Sequence, residues 1–307
     1  MSMTKKALCG VFPAFPTPTD KEGRVDAEAL IRLVRYLLDG DIGGLVPVGG
    51  TGEFTALSPA QRRKAVEVTV AAVRGRVPVV PGILCPGFAE AVETGRAFAA
   101  AGADALMLVT PFYVTPTQGG IRDYFKAYRD KSDLPVLLYD IPSRTRVAVE
   151  AETIAQMADD GSIIGMKACN TDVAHFNRVI HLAGDKIAVM SGEDLYFPTH
   201  IALGGCGGVL ASATIIPRHW VEIFELLRSG HLPEALARHR RLLPLFDALF
   251  AEVNPGPLKE AMRLIGLDIG RVLLPLKPPM PATMAKLEKA VAELRAAKLL
   301  DAVPQAA

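Results

Sequence analysis

A lysine and a tyrosine, each at the end of a short apolar run, are the residues best placed for chemistry in this sequence. The run IIGMK at 163–167 ends in Lys167, and PVLLY at 135–139 ends in Tyr139. A neutral lysine amine attacks a ketone to give a Schiff base, which then serves as an electron sink. Burial at an apolar strand end is expected to lower the lysine pKa, and a nearby tyrosine hydroxyl can move protons while the Schiff base forms. The pair therefore indicates covalent amine catalysis.

Two other stretches have the chemistry of carboxylate binding. The glycine-rich turn GGTGE at 49–53 offers backbone N–H groups and the Thr51 hydroxyl to a small anion. Arg144 in DIPSRT carries a guanidinium fork that grips a carboxylate with two hydrogen bonds. Taken singly, GGTGE can be only a tight turn and Arg144 only a surface ion pair. Their joint placement after strands of one sheet favours a shared binding site.

Eight short apolar runs alternate with amphipathic stretches and predict the strands that position these residues. The runs lie at 10–15, 44–48, 77–82, 105–109, 135–139, 163–167, 187–191 and 208–213. They lack clean alternation, which is typical of parallel strands covered on both faces. Eight strand–helix units predict an α/β fold, a (β/α)8 TIM barrel with its active site at the carboxyl ends of the strands. Residues 1–230 are the predicted barrel, and residues 231–307, which lack strands, are a predicted C-terminal helical domain.

Charge and residue spacing argue against several functional classes. The 307-residue chain has a net charge of +1, so neither nucleic acid nor an anionic membrane surface is an expected partner. No uninterrupted apolar run has the length of a transmembrane helix. The six histidines show no metal-binding spacing, so no metal is expected.

The cysteines indicate a reducing compartment. Cys9, Cys85, Cys169 and Cys206 lie far apart in the sequence and form no C-x-x-C motif. This pattern favours reduced thiols over a disulfide framework or a zinc finger. The expected location is therefore the cytoplasm.

Six stretches occur in the order and spacing of a known family and together span nearly the whole chain. They are GGTGE, TPFY, LLYDIPSRT, IIGMKA, SGED and NPGPLKEAM. The sequence resembles the dihydrodipicolinate synthase / N-acetylneuraminate lyase family of class I pyruvate-dependent aldolases. The resemblance implies a lyase that needs no separate cofactor, because pyruvate is held as a covalent imine on a lysine.

The resemblance assigns roles around that imine. It implies that Lys167 is the Schiff-base lysine and that Tyr139 is the general acid/base. It also implies that Thr51, with the backbone of Gly50 and Thr51, binds the pyruvate carboxylate. Gly192 falls where the family lines the pyruvate pocket with backbone carbonyls.

Three more residues take roles from the same resemblance. Val209 also falls at a pocket-lining position, and Arg144 matches the arginine that binds the carboxylate of aspartate semialdehyde in the synthases. Tyr113 looks like the tyrosine that a neighbouring subunit inserts into the site. A homo-oligomer is therefore expected, at least a dimer, and usually in this family a tetramer built as a dimer of dimers.

The sequence carries two conflicting signals about the substrate that joins pyruvate. Synthases usually have a hydroxyl residue where this chain has Gly50, and GGTGE followed by Phe54 is similar to relatives that act on 2-keto-3-deoxy sugar acids. The PSRT loop with Arg144 is the synthase-like version. The favoured activity is dihydrodipicolinate synthase, in lysine biosynthesis. A sugar-acid aldolase or dehydratase, an N-acetylneuraminate-lyase-like enzyme and a non-catalytic binding protein on the same scaffold stay open.

A regulatory expectation also follows from the resemblance. Many synthases of the family bind free lysine as an inhibitor at the dimer interface. The matching positions here are Phe54, Thr55, Pro59, Arg62, Pro86, Glu90 and Phe112. Only Glu90 keeps the polar character of the family, so we expect no inhibition by lysine.

Overall fold

Seven parallel strands form a curled sheet in the computed structural model, which describes residues 5–303. In chain order they are β1 (Gly10–Pro13), β2 (Gly82–Ile83), β3 (Leu106–Val109), β4 (Val136–Asp140), β5 (Gly165–Ala168), β6 (Ala188–Ser191) and β7 (Gly207–Leu210). Their order in the sheet is β1-β7-β6-β5-β4-β3-β2. Every strand is buried along its whole length, as strands covered on both faces are.

The gap between β1 and β2 is filled by the segment predicted as the second strand. Val46 forms a parallel bridge with Ala14, and Leu45 forms one with Val79. The pairing stays this short because Pro47 has no N–H to donate and Val48 adopts a φ of 56°. Eight strand positions thus surround one interior, and the prediction of a (β/α)8 barrel is confirmed.

Helices follow the strands and continue beyond the barrel. Within residues 5–303 the α-helices are α1 (Ala27–Leu38), α2 (Pro59–Val73), α3 (Phe88–Ala100), α4 (Gln118–Arg129), α5 (Pro142–Thr145), α6 (Ala151–Asp159), α7 (Val173–Ala183), α8 (Phe197–Ala202), α9 (Pro217–Arg228), α10 (Leu232–Arg240), α11 (Leu243–Leu249), α12 (Gly256–Ile265) and α13 (Pro281–Ala296). Short 3-10 helices lie at Lys5–Leu8, Phe54–Ala56 and Ser212–Thr214. The described part of the chain contains no helix with both the length and the apolarity needed to cross a membrane.

Local capping fixes where several helices begin. The Asp26 side chain accepts a hydrogen bond from the Ala29 backbone N–H at 2.9 Å, which starts α1. Ser58 accepts from the Gln61 backbone N–H at 3.3 Å, and a proline follows at the first helical position of α2. The helices predicted after the barrel are present as α10 to α13. The domain boundary at residue 230 stays a prediction, and part of the proposed second domain, residues 304–307, lies outside the described residues.

The inside of the barrel changes character along its axis. Residues that precede or begin strands at the amino end are apolar and buried, including Leu8, Ala105 and Ala188. At the carboxyl end the same interior cluster contains Tyr139 and Cys169. The reactive side chains therefore lie at the end where barrels of this kind have their active sites.

Candidate active site

A cavity of about 310 Å³ lies at the carboxyl ends of the strands. It is lined by residues from the loops after several strands and from the segment before α12: Gly50, Thr51, Tyr139, Ile141, Ser143, Arg144, Lys167, Cys169, Gly192, Glu193, Asp194, Ala211, Phe250, Glu252, Val253 and Asn254. Six of the predicted site residues are in this set. A second cavity of about 220 Å³ shares Gly50, Tyr139, Ile141 and Arg144 with the first.

Strand register brings Lys167 and Tyr139 together. They are Cα partners on the neighbouring strands β5 and β4, so their side chains leave the sheet on the same side. The Lys167 Nζ atom lies 4.7 Å from the centre of the Tyr139 ring. Both residues are buried, with 7% and 5% of their surfaces exposed. The two groups that the sequence singled out therefore lie side by side in the cavity wall.

The protonation of Lys167 differs from the expectation. Burial lowers the pKa of its amine, but the negative charges that the acidic groups around it carry once they are ionised raise the pKa more, above the ordinary value. These groups, in decreasing order of effect, are Tyr139, Cys169, Glu193 and Asp194. The prediction of a lowered pKa is therefore wrong for the free protein. Lys167 carries a proton at neutral pH and has to lose it before it attacks a ketone.

Tyr139 is a neutral phenol at neutral pH. Burial raises its pKa to about 12, although the charges of Lys167 and Arg144 act in the opposite direction. The hydroxyl therefore keeps its proton until a stronger base forms beside it. Such a group can donate a proton to a leaving hydroxyl and take it back later.

Glu193 is a cavity residue that the sequence reasoning did not assign. Burial, together with the neighbouring charge of Asp194, raises the pKa of its carboxyl to about 7, while Lys167 acts to lower it. Glu193 thus changes protonation in the neutral range, beside an amine that must lose a proton. The signal for it was the pair of acidic residues in SGED, directly after β6 at the catalytic end.

A hydrogen-bond network behind the cavity wall holds the acidic loop through Asp194. Asp194 accepts a hydrogen bond from the Ser212 backbone N–H at 2.8 Å and a second bond from the Ser212 hydroxyl. The Trp220 indole donates to that hydroxyl at 2.9 Å. His239 Nε2 donates to the Asp194 backbone carbonyl at 2.9 Å. Because Asp194 is fixed from both sides, the adjacent Glu193 is held at the cavity wall.

Thr51 is oriented by a residue from the C-terminal region. The Asn254 side-chain amide donates to Thr51 Oγ1 at 2.8 Å, and the Thr51 side chain lines the cavity. Since the hydroxyl oxygen already accepts this bond, its own hydrogen is free to point toward an anion in the cavity. In the sequence, Asn254 appears only as part of the family motif NPGPLKEAM, and no local pattern indicates its contact with Thr51.

A buried ion pair anchors the glycine-rich turn. Lys259 Nζ lies 2.5 Å from Glu53 Oε2, and the two side chains are 1% and 2% exposed. Lys259 also donates to the Arg271 carbonyl at 2.8 Å, and Glu53 accepts from the Leu273 backbone N–H at 2.6 Å. The ion pair neutralises the two buried charges, and together with these bonds it fixes GGTGE against α12.

The two glycines of the site differ in how much space a side chain would have. A Cβ on Gly192 would lie 2.2 Å from Cys169 Sγ and 2.9 Å from the Ala168 carbonyl, so no larger residue fits. A Cβ on Gly50 would lie 3.8 Å from the Tyr139 hydroxyl and 4.0 Å from Leu84, which is ordinary contact. Packing therefore does not require glycine at position 50, which lines both cavities.

Three predicted site residues differ from the others in exposure or in their position relative to the cavity. Arg144, on the short helix α5, is exposed and lines both cavities. Tyr113 is 96% exposed with a φ of 76°, and it lines neither cavity of its own chain. Val209 is buried in the barrel interior cluster and is absent from the cavity wall, where Ala211 stands instead. Their roles stay predictions.

The described part of the chain offers no cluster of metal-ligating side chains. No group of three or more His, Cys, Asp or Glu side chains within residues 5–303 is arranged to hold a metal ion. The groups that the cavity does present are an amine, a phenol, carboxyls and a guanidinium, from Lys167, Tyr139, Glu193 and Arg144.

Comparisons with known proteins identify the family of this chain. The family profile described as "Dihydrodipicolinate synthetase family" matches residues 7–295. The chain is 37% identical to the 4-hydroxy-tetrahydrodipicolinate synthase of Methanothrix thermoacetophila over 286 residues, which is 93% of this chain and 96% of that protein.

Solved structures give the same result. The fold matches a monomeric dihydrodipicolinate synthase variant with a TM-score of 0.92 and 32% identity, covering 96% of this chain and 98% of that one. It also matches the chloride-inhibited dihydrodipicolinate synthase of Acinetobacter baumannii in complex with pyruvate, with a TM-score of 0.90 and 31% identity, covering 95% and 100%. The chain belongs to the dihydrodipicolinate synthetase family.

Proposed function

We propose that this chain is a Schiff-base lyase that condenses pyruvate with aspartate semialdehyde, as a 4-hydroxy-tetrahydrodipicolinate synthase of lysine biosynthesis. The observation that carries the proposal is the buried Lys167–Tyr139 pair, in one cavity with Thr51 and Arg144. The name of the Methanothrix relative supports the same activity.

The first half of the reaction makes the imine. Glu193 accepts the surplus proton of Lys167, and the neutral amine attacks the pyruvate ketone, whose carboxylate is held by Thr51 and the Gly50–Thr51 backbone. Tyr139 donates a proton to the carbinolamine hydroxyl, which leaves as water. The product is a covalent iminium on Lys167, so no separate cofactor is needed.

The second half makes the carbon–carbon bond. The iminium acidifies the pyruvate methyl group, which loses a proton and becomes an enamine. The enamine carbon attacks the aldehyde of the second substrate, whose carboxylate is gripped by Arg144. Water or an intramolecular amine then releases the product from Lys167, and the enzyme returns to its starting state.

The proposed active unit is a homo-oligomer in the cytoplasm. Tyr113 is almost fully exposed and held in a left-handed backbone conformation that large residues rarely adopt. This geometry suits a side chain that reaches into the site of a second copy. One of the matched synthases is described as the first monomeric variant, which implies that assembly is the usual state of such enzymes. We expect at least a dimer and propose a dimer of dimers.

We expect no inhibition of this enzyme by free lysine. The Arg62 guanidinium lies 3.8 Å from the centre of the Phe54 ring and donates to the Phe54 carbonyl at 2.9 Å. It also pairs with Glu90 at 3.2 Å. The one carboxylate that a free lysine would need is thus already paired. Steady-state rates with millimolar lysine test this, and a clear loss of activity would contradict it.

A second activity has one specific observation in its favour. Gly50 lines both cavities, and the lack of a side chain there leaves more room for a bulkier, hydroxylated substrate. This favours a 2-keto-3-deoxy sugar-acid aldolase or dehydratase, and more remotely an N-acetylneuraminate-type lyase. A non-catalytic binding protein would have no need to bury an amine next to a phenol.

Two successive measurements distinguish these activities. The first is borohydride reduction in the presence of pyruvate, followed by peptide mass mapping, which should place a reduced pyruvyl adduct on Lys167. The second is turnover of pyruvate with aspartate semialdehyde, compared with turnover of 2-keto-3-deoxy sugar acids. An adduct without semialdehyde turnover would favour the sugar-acid activity, and no adduct at all would overturn both.

A further inference from the structure

Two cysteines that are remote in sequence meet at the amino-terminal face of the barrel. Cys9 precedes β1 and Cys206 precedes β7, and the first residues of these strands, Gly10 and Gly207, are Cα partners. The Gly10 N–H donates to the Cys206 carbonyl at 3.0 Å, so the pairing extends to the cysteines themselves. Both residues are only partly buried.

Their side chains turn toward the same segment. Cys206 Sγ lies 3.9 Å from the carbonyl of Leu8, the residue directly before Cys9. Cys9 Sγ lies 3.7 Å from the Lys5 carbonyl, one turn earlier in the chain. Neighbouring strands run about 4.8 Å apart, which is within the Cα separation that a disulfide spans.

The electrostatic surroundings distinguish Cys9 from the buried cysteines. Hydrogen bonding with the adjacent Cys206 thiol, helped by the charges of Lys5 and Arg228, lowers the pKa of Cys9 to about 6. Burial instead raises the pKa of Cys85 to about 11 and raises that of Cys169. At neutral pH the nucleophilic thiolate is therefore at Cys9, beside a second thiol.

We propose that Cys9 and Cys206 form a redox-active thiol pair that a peroxide closes to a reversible disulfide. The Cys9 thiolate attacks the peroxide O–O bond and becomes a sulfenic acid, while hydroxide or alkoxide leaves. The Cys206 thiol then attacks the sulfenic sulfur, the S–S bond forms, and water is released. The two thiols lose two electrons and two hydrogens, and the peroxide gains them.

The disulfide would fasten the amino end of the barrel. Leu8, next to Cys9, is fully buried in the barrel interior cluster, so the segment before β1 closes that end of the barrel. A bond from Cys9 to Cys206 ties this segment to β7. The catalytic cavity lies at the opposite ends of the strands, so the bond changes stability and leaves turnover unaltered.

Peptide mapping of the full chain tests the pair directly. The reduced protein is treated with a small excess of hydrogen peroxide, quenched with catalase, and blocked with iodoacetamide before digestion. We expect a peptide cross-linked between Cys9 and Cys206 that dithiothreitol removes, and a rise in the thermal midpoint of roughly 5–10 °C.

Matched variants keep the test decisive. In Cys206→Ser, Cys9 should stop at the sulfenic acid and react with dimedone, while Cys85→Ser should form the cross-link like the wild type. Cys9→Ser should show neither product and, when reduced, the wild-type thermal midpoint. If both thiols of the oxidised wild type remain alkylatable, or Cys9 proceeds to sulfinic acid with Cys206 intact, the proposal is wrong.

Discussion

The two ends of the barrel interior are built from opposite kinds of residue. The amino end is closed by apolar side chains such as Leu8 and Ala188, which are fully buried. The carboxyl end buries Lys167 and Tyr139 and partly buries Glu193, and burial disfavours the charged forms of all three. Stability and chemistry thus depend on different ends of the same strands, so changes at the two ends should have separable effects.

The largest effect is expected from removal of the amine. Lys167→Ala should reduce pyruvate turnover to background and abolish the borohydride adduct, because no other cavity residue supplies a primary amine. Its thermal midpoint should fall, because the acidic groups that raise the pKa of the amine favour its charged form in the folded protein. Wild-type activity in this variant, measured with each candidate aldehyde, would contradict the whole assignment.

Loss of the phenol should cost less than loss of the amine. Tyr139→Phe keeps the ring beside Lys167 and removes only the hydroxyl. We expect turnover to fall by ~10²–10⁴, the usual contribution of general acid–base catalysis. The adduct should still form, but slowly, in a time course of borohydride trapping. A rate within twofold of the wild type would show that water moves these protons unaided.

The apolar end should respond in the opposite way. Leu8→Ala removes a fully buried side chain and should lower the free energy of unfolding by about 2–5 kcal/mol. Denaturant titration measures this loss, and kcat at a temperature where the variant is folded serves as the control. A large fall in kcat would break the proposed separation between the two ends.

The sequence indicates which reactive residues lie at the strand ends, but not the contacts and electrostatic interactions that they make there. Lys167 and Tyr139 could be found because each ends an apolar run, and parallel strands bring such ends together. The contacts of Thr51 with Asn254 and of Glu53 with Lys259 could not, because they join parts of the chain that no local pattern connects. The sign of the Lys167 pKa shift depends on the summed charges around the amine, which only the three-dimensional arrangement provides.

Asp140 tests the cost of burying charge at the carboxyl end. It is fully buried, its Oδ2 has no hydrogen-bond partner among the described residues, and burial raises its pKa from 3.8 to about 7. Between these pH values the folded protein therefore binds one more proton than the unfolded chain. The stabilisation that this proton on Asp140 provides is complete below pH 4 and is lost as the pH rises through 7.

Asp140→Asn should remove that pH dependence. The variant should exceed the wild type in unfolding free energy by roughly 2–4 kcal/mol at pH 8, and the difference should shrink toward pH 5. Thermal or denaturant unfolding at the two pH values measures it. An equal difference at both values would show that Asp140 does not change protonation on folding in this range.

The smallest effect concerns the proton acceptor. If Glu193 takes the proton of Lys167, kcat/KM for pyruvate should rise with pH through about 7, because only the deprotonated carboxylate can accept it. Glu193→Gln should remove this ascending limb of the pH profile and lower the kcat/KM reached at high pH by roughly tenfold, near the small end of general-base effects. Glu193→Asp should restore part of the limb.

Asp140→Asn is the control that makes this profile interpretable, because burial raises the pKa of both carboxyl groups to about 7. Asp140 follows Tyr139 on β4 and does not line the cavity, so its variant should keep the limb that Glu193→Gln loses. If the limb instead follows Asp140, the titration reports the folding of the carboxyl end, and Glu193 is not the proton acceptor. If the limb survives both substitutions, the proton of Lys167 leaves by a route that involves neither carboxylate.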